Sequence, residues 1–306
     1  MREQVLPTLA ACRTTSTFRG YDGVALHLVR YDAPTPRGTV LILHGLNEST
    51  EKYSELISYF LTDGLSVLIY DQRGFGKSPR QVPHGISHID RFDEYLDDAR
   101  CCMHGPLRQC PAPYYLFGHS MGGAVAALCA MDADHPFSKI VLSSPMIQTF
   151  RYRGLPPSLV RTLCRLIRAL GGGKRKIWFL TEPDGNEPFE SSSSLSPARY
   201  AAYGEVRRAD QDYLGGAVTY SWVAEAMSVL RRATNRKAAG RIRVPLQLYS
   251  AENDALVENP AQHKFIRLLP KGQLITVKGS KHEIYYASDD ILHPYLNSVL
   301  DFFKQP

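Results

Sequence analysis

Residues 113–133 of this 306-residue chain, PYYLFGHSMGGAVAALCAMDA, are the most informative segment about its fold. It begins with an apolar, aromatic run and ends with small helix-forming residues, and the pattern Gly-x-Ser-x-Gly lies between them at residues 118–122. A strand that turns sharply into a helix strains the backbone at the turn, so the flanking residues must be small. Gly118 and Gly122 meet that demand and predict a nucleophile elbow that presents Ser120.

Strand-like and helix-like patterns alternate on both sides of this stretch, which indicates βαβ units and a parallel sheet. The alternation stops between residues 148 and 240, where helices, arginines and prolines occur without a clear strand. We therefore expect a mostly parallel, doubly wound α/β sheet built from residues 1–147 and 241–306. Residues 148–240 are expected to form an all-helical cap or lid, because the segment is too long for a plain loop.

A serine hydroxyl becomes a good nucleophile only when a base within hydrogen-bond reach takes its proton. Of the ten histidines, only His282 follows a late apolar strand, "QLITVKGS", and precedes the last helical pattern. His263 and His293 fall inside helical patterns, and His119 adjoins the serine and is expected to point elsewhere. His282 is therefore predicted to be the base.

The segment "LYSAENDALVEN" offers three carboxylates that could orient the histidine: Glu252, Asp254 and Glu258. Glu258 is placed to begin the next helix, where a carboxylate suits the helix dipole. Asp254 precedes an apolar pair that would anchor its loop, so we choose Asp254, with Glu252 as the alternative. Its role would be to fix the histidine tautomer and to stabilise the imidazolium.

Chemistry at an acyl carbon also needs N–H donors for the developing oxyanion. The amide of Met121, just after the serine at a helix start, is one candidate. The loop "HGLNES" after an earlier buried strand supplies the other, the amide of Leu46 next to Gly45.

Composition sets only loose limits on partners and location. The net charge of +6 weakly favours anionic partners or surfaces. Residues 9–12, Leu-Ala-Ala-Cys, resemble a lipoprotein cleavage site, but Pro7 breaks the apolar segment before them, so a signal peptide is not expected. The six cysteines form no CxxC pair and are expected to be reduced thiols of a cytoplasmic protein that could lie peripherally at the inner membrane.

The sequence contains no complete motif of the usual kinds for binding a metal or a nucleotide. "RGFGKS" resembles a phosphate-binding loop, but that motif requires glycine at the position of Asp71. No HExxH and no G-x-G-x-x-G occurs. We expect neither a metal nor a cofactor.

With these residues assigned, the chain resembles the monoacylglycerol lipase and bacterial lysophospholipase branch of the α/β-hydrolases. The resemblance is carried by "LILHGLNESTEKYSEL", "VLIYDQRGFGKS", "GHSMGGA", "GGAVTYSWVAEAM" and "KGSKHEI". It implies a serine esterase that removes one acyl chain from a glycerolipid, with Ser120, Asp254 and His282 as the triad and Leu46 and Met121 as oxyanion donors. One departure concerns the H-G-x-G-E-H motif of monoacylglycerol lipases, because Asn47 and Ser49 replace its second glycine and second histidine.

The expected substrate is therefore a monoacyl glycerolipid, either a lysophospholipid or a monoacylglycerol. An acyltransferase or a peptidase on the same scaffold would carry the same triad and stays open as an alternative. A non-enzymatic nucleic-acid binder is a remote alternative, because the complete triad argues against it; no nucleic-acid partner is expected.

The segment "LPPSLVRTLCRLIRALGGGKRK", residues 155–176, predicts an amphipathic helix in the insertion. Its leucines fall on one side, opposite Arg161, Arg165 and Arg168. In one interpretation the apolar face packs on the catalytic core and the arginines are solvated. In the other, the helix is part of a lid that contacts an anionic membrane.

Overall fold

A computed structural model describes residues 8–83, 85–149, 154–181 and 184–305. The predicted domain ranges also include the remaining residues, which lie outside the described part. These described residues contain ten strands: β1 (Arg13–Arg19), β2 (Ala25–Tyr31), β3 (Thr39–Leu43), β4 (Ser66–Tyr70), β5 (Gly85–Ser87), β6 (Tyr114–His119), β7 (Phe137–Ser143), β8 (Gly215–Val218), β9 (Leu246–Ala251) and β10 (Gly272–Val277). The helices are α1 (Ser54–Thr62), α2 (Asp93–His104), α3 (Ser120–Cys129), α4 (Pro157–Ile167), α5 (Pro197–Ala209), α6 (Tyr220–Ala226), α7 (Val229–Ala233), α8 (Arg236–Ala239), α9 (Asn259–Ile266) and α10 (Asp289–Lys304).

Eight strands form one sheet in the order β1-β2-β4-β3-β6-β7-β9-β10. The first two strands pair antiparallel, as do β2 and β4, and every later pairing is parallel. From β3 the chain crosses first to β4 on one side and later to β6 on the other. The carboxyl ends of β3 and β6 therefore flank a switch point, where open α/β sheets bind ligands.

Both faces of the sheet are buried, as a parallel sheet requires. Along β3, Leu41 and Leu43 belong to the apolar cluster that contains α2, α3 and α9. Their neighbours Val40 and Ile42 belong to the opposite cluster, with α1 and α10. The period of two along one strand thus builds both layers of the core, and the predicted doubly wound α/β fold is confirmed.

The insertion between β7 and β9 is not all-helical, and that part of the prediction was wrong. It contains α4 to α8, but also β8, which pairs in parallel with β5 in a small second sheet. A four-residue strand that begins with Gly215 and Gly216 has too few β-branched residues to produce a strand pattern. The edge strand β1 was also missed, because its residues are mostly exposed and polar.

Candidate active site

The serine at the turn between β6 and α3 has a strained backbone. Ser120 has φ of 51°, in the left-handed region that residues with a side chain rarely adopt. A Cβ on Gly118 would lie 2.7 Å from the Cβ of Ala126, and one on Gly122 would lie 2.1 Å from the carbonyl oxygen of Leu43. Only glycine fits at either position, so the sequence builds the sharp turn that the pattern predicted.

Three residues chosen from the sequence form one hydrogen-bonded chain in the structure. Ser120 Oγ lies 2.8 Å from His282 Nε2, and His282 Nδ1 lies 2.7 Å from Asp254 Oδ2. They come from the ends of β6, β10 and β9, which converge at one edge of the sheet. The His282 ring is buried, and the Asp254 side chain has no exposed surface. The arrangement lets a proton move from Ser120 to His282 while Asp254 holds the ring.

Asp254 has the electrostatics of a carboxylate that stays ionised. Its other oxygen accepts hydrogen bonds from the amides of Leu256 and Val257, at 2.9 and 3.0 Å. Burial alone would raise the pKa of Asp254, but the contact with His282 and the two amide donors outweigh it and lower the pKa.

The other candidates for base and acid lie elsewhere. Glu252 is exposed and accepts a hydrogen bond from the amide of Gly279, and Glu258 is the N-cap residue just before α9. His119 is buried, with Nδ1 3.1 Å from the carbonyl oxygen of Ser143. His263 lies on α9, and His293 lies on α10 beside Tyr59.

Of the two predicted oxyanion donors, Leu46 lines the cavity that contains Ser120, and Met121 directly follows Ser120 in the chain. Met121 is the second residue of α3, so its amide precedes the first hydrogen bond within that helix. The amide of Leu46 donates no hydrogen bond to another described residue. The following residue, Asn47, adopts φ of 59°, a conformation that asparagine tolerates better than most residues. The replacement of the usual glycine by Asn47 is therefore compatible with the loop.

A buried ionic cluster under this loop was missed by sequence reasoning. Glu48 accepts hydrogen bonds from the Gly45 amide and the Tyr53 hydroxyl, both at 2.6 Å, and from Lys52 and Tyr285, both at 2.8 Å. Burial would raise the pKa of Glu48, but the charge of Lys52 and these donors lower it. The cluster fixes the shape of the loop that carries Leu46. The four-residue spacing of Glu48 and Lys52 was the only local signal for it.

An apolar cavity of about 310 Å³ opens at Ser120. Five residues give it its apolar side: Leu46, Met146, Trp222, Leu256 and Val257. A hydrocarbon chain is the kind of group that such walls accept. Among the described residues, no cluster of three or more metal-ligating side chains occurs.

Helix α4 lies with its apolar face outward, so the interpretation that this face packs on the core was wrong. Three leucines on that face are 44% to 56% exposed, namely Leu159, Leu163 and Leu166, and Leu170, just after α4, is 88% exposed. The side of α4 that faces the protein instead contains Val160 and Cys164. This side packs against α6. Of the three arginines predicted to lie outside, only Arg165 is exposed; Arg161 is half-buried, and Arg168 Nη1 lies 3.0 Å from Glu225 Oε1 of α6. That ion pair helps to keep the arginine side of the segment turned toward α6.

The fold, the serine elbow and the order of the serine, acid and histidine along the chain together define an α/β-hydrolase. The chain belongs to the family described as "Serine aminopeptidase, S33", whose sequence profile matches residues 34–289. It is 28% identical to lysophospholipase L2 of Escherichia coli K12 over 315 residues, covering 96% of this chain and 88% of that protein. It is 26% identical to a probable lysophospholipase L2 of Haemophilus influenzae, covering 91% and 87% of the two chains. A solved monoglyceride lipase from Saccharomyces cerevisiae has the same fold, with a TM-score of 0.76, 19% identity and coverage of 95% and 94%.

Proposed function

We propose that the protein hydrolyses the acyl ester of a monoacyl glycerolipid, a lysophospholipid or a monoacylglycerol. The observation that carries the proposal is the chain from Ser120 through His282 to Asp254 at the mouth of an apolar cavity. The names of the relatives support the same substrate class, since they are carboxylic ester hydrolases acting on lipids with one acyl chain.

The reaction follows from the positions of these groups. His282 Nε2 takes the proton of Ser120 as Oγ attacks the ester carbonyl carbon, and the carbonyl oxygen becomes an oxyanion between the amides of Leu46 and Met121. The carbon–oxygen bond to the glycerol then breaks, and His282 gives its proton to the departing oxygen. Water attacks the acyl-Ser120 ester with His282 again as base, which releases the fatty acid and restores the serine.

The test measures hydrolysis of three lipids that carry the same acyl chain: lysophosphatidylethanolamine, lysophosphatidylcholine and monoacylglycerol. An aminoacyl p-nitroanilide is included to test the peptidase alternative. We expect turnover of the lipid esters by the wild type and a loss of at least about a thousandfold in Ser120→Ala. Cleavage of the anilide with no cleavage of the lipid esters would instead support a peptidase, in line with the description of the family.

Residues 148–240 are proposed to act as a cap over the site. The support is that Gly216 and Trp222, both in this range, line the cavity that contains Ser120. No helix in the described part of the chain has the length and hydropathy to cross a bilayer.

The outer face of the cap is proposed to rest on an anionic membrane surface. Leucines of α4 and Trp178, which is 81% exposed, present apolar groups to solvent. Arg165, Lys174 and Arg175 are exposed beside them and would contact anionic headgroups. An amphipathic helix with tryptophan and basic residues at its edge is typical of proteins that lie in the membrane interface, where a lipid substrate is found.

A further inference from the structure

A second cavity, polar and larger, adjoins the one at Ser120. Its volume is about 590 Å³. The two cavities share the loop of Leu46, Asn47 and Glu48, together with Gly216 and Glu283. We call the second cavity the polar compartment.

In the proposed reaction the alcohol would leave toward the polar compartment. In the proposed reaction, His282 gives its proton to the departing oxygen, so that oxygen must lie beside His282. The next residue, Glu283, lines both cavities. The acyl chain would occupy the apolar cavity and the leaving alcohol the polar compartment. This inference therefore rests on the proposed function.

Acidic charge predominates at the inner end of the polar compartment. Lys52 Nζ lies 2.8 Å from Glu48 Oε1 and 2.7 Å from Glu283 Oε1, so one cation is shared by two carboxylates. Glu48 and Lys52 are nearly fully enclosed, whereas the side chain of Glu283 is 18% exposed. Glu283 is therefore the carboxylate of this group that a ligand can reach.

Charged residues at the opening of the polar compartment add to this excess of acidic charge. Arg207 is paired with Glu187 at 2.9 Å, and Asp184 is an exposed carboxylate at the same opening. Of the described residues that line the polar compartment, four are acidic and two basic, which gives a net charge of −2. A negatively charged leaving group would be repelled there.

Tyrosine side chains also contribute to the lining. Tyr200, Tyr203 and Tyr286 line the polar compartment. The Lys52 ammonium lies 5.6 Å from the ring centre of Tyr203 and 5.4 Å from that of Tyr286, so these rings already accommodate one cation. Phenol rings beside carboxylates form the kind of environment that binds a primary or quaternary ammonium group.

We infer that the polar compartment binds the ammonium group of the leaving alcohol, with Glu283 and Asp184 as its counter-charges. The preferred substrates are then lysophospholipids whose headgroup ends in ethanolamine or choline. Lysophospholipids whose headgroup ends in glycerol have the same phosphate but no ammonium group, and are disfavoured.

The experiment compares lysophosphatidylethanolamine with lysophosphatidylglycerol, both carrying an octanoyl chain and both kept monomeric so that micelle charge does not contribute. For the full-length wild type we expect kcat/KM to be about tenfold higher for the ethanolamine lipid. Glu283→Gln and Asp184→Asn should each lower that ratio about threefold, whatever their effect on the absolute rates. Glu252→Gln, which makes the same change at an exposed carboxylate outside the polar compartment, should leave the ratio unchanged.

A second measurement does not depend on the turnover of phospholipid. Glycerophosphoethanolamine should inhibit hydrolysis of p-nitrophenyl butyrate at about tenfold lower concentration than glycerophosphoglycerol. Equal kcat/KM for the two lipids, or a ratio that neither variant changes, would overturn the inference while leaving ester hydrolysis intact. Absence of ester hydrolysis by the wild type would refute the proposed function itself, so the two failures are distinguishable.

Discussion

Ser87 donates a hydrogen bond of 2.7 Å from its Oγ to the Oδ1 of Asn47. Ser87 ends β5, the short strand that pairs with β8 of the insertion. Asn47 directly follows Leu46, the proposed oxyanion donor. A Cβ on Gly215 of β8 would lie 2.9 Å from the Cβ of Asn47, so the insertion also packs closely against this loop. The bond between Ser87 and Asn47 thus connects β5, the strand that pairs with the insertion, to the loop that would stabilise the transition state.

Loss of that hydrogen bond should lower kcat more than it changes KM. Ser87→Ala and Asn47→Gly, which tolerates the positive φ, should each lower kcat about fivefold because the Leu46 amide is less well fixed. The double variant should lose no more than either single one. Ser58→Ala removes a similar hydroxyl contact on α1 and serves as the control. Unchanged kcat in Ser87→Ala would contradict the connection.

Gly122→Ala should destabilise the protein by about 3 kcal/mol or more, because the new Cβ would lie 2.1 Å from a backbone oxygen of Leu43 that cannot easily move. Gly23→Ala is the matched control: Gly23 has positive φ, but nothing lies within 4 Å of an added Cβ. It should cost only about 1 kcal/mol. Urea unfolding measures both. If the two variants lose the same stability, the close contact at the elbow is not what requires glycine.

The buried His119 should make the protein less stable as the pH falls. Burial lowers the pKa of His119 to about 3, from an ordinary value of 6.5. Below about pH 6.5, His119 therefore becomes protonated in the unfolded chain but stays neutral in the folded protein. The free energy of unfolding then falls by about 1.4 kcal/mol per pH unit. His119→Asn should remove this contribution, so its curve of unfolding free energy should be flatter by about 2 kcal/mol between pH 6.5 and 5. Other buried histidines contribute to both curves.

The control for that experiment is Gln262→Ala on α9, which removes a buried polar side chain that does not titrate and should keep the slope of the wild type. The relevant quantity is the difference in slope, because either substitution can shift the whole curve. Parallel curves for the wild type and His119→Asn would contradict a neutral, buried His119.

The exposed face of α4 predicts binding to anionic vesicles. The wild type should float with vesicles that contain phosphatidylglycerol and much less with purely zwitterionic ones. Leu163→Glu combined with Leu166→Glu, residues that are 47% and 56% exposed, should weaken binding at least about tenfold.

Two double variants with the same change in net charge separate the effect of the basic residues near α4 from the effect of net charge. Lys174→Glu with Arg175→Glu should weaken binding, whereas Lys264→Glu with Lys271→Glu, at exposed positions outside the insertion, should not. If the wild type binds anionic vesicles no better than zwitterionic ones, the proposed membrane contact is wrong. The proposed ester hydrolysis does not depend on that result.

The sequence was most informative where local constraints determine structure. The elbow at Ser120 needs glycines at fixed offsets, and those offsets can be read directly from residues 118–122. The parallel strands could be predicted because strands buried on both faces are apolar throughout. The doubly wound α/β fold followed from these features.

The sequence was least informative where the outcome depends on distant partners. The buried face of α4 depends on Glu225, 57 positions beyond Arg168, and the periodicity of leucines cannot reveal that ion pair. The cluster of Glu48 and Lys52 is completed by Glu283 and Tyr285, more than 200 residues along the chain. The strand β8 depends on pairing with β5 rather than on its own composition. The roles of Ser120, His282 and Asp254 stay predictions, supported by their geometry.

Covalent labelling by a fluorophosphonate probe, with the modified peptide identified by mass spectrometry, tests whether Ser120 is the nucleophile. The wild type should be labelled stoichiometrically at Ser120, because only an activated serine attacks the phosphorus. His282→Ala should be labelled at least about a hundredfold more slowly, and folded Ser120→Ala not at all. Failure of the folded wild type to be labelled, or labelling of Ser120→Ala at the wild-type rate, would contradict the central claim that Ser120 is the nucleophile.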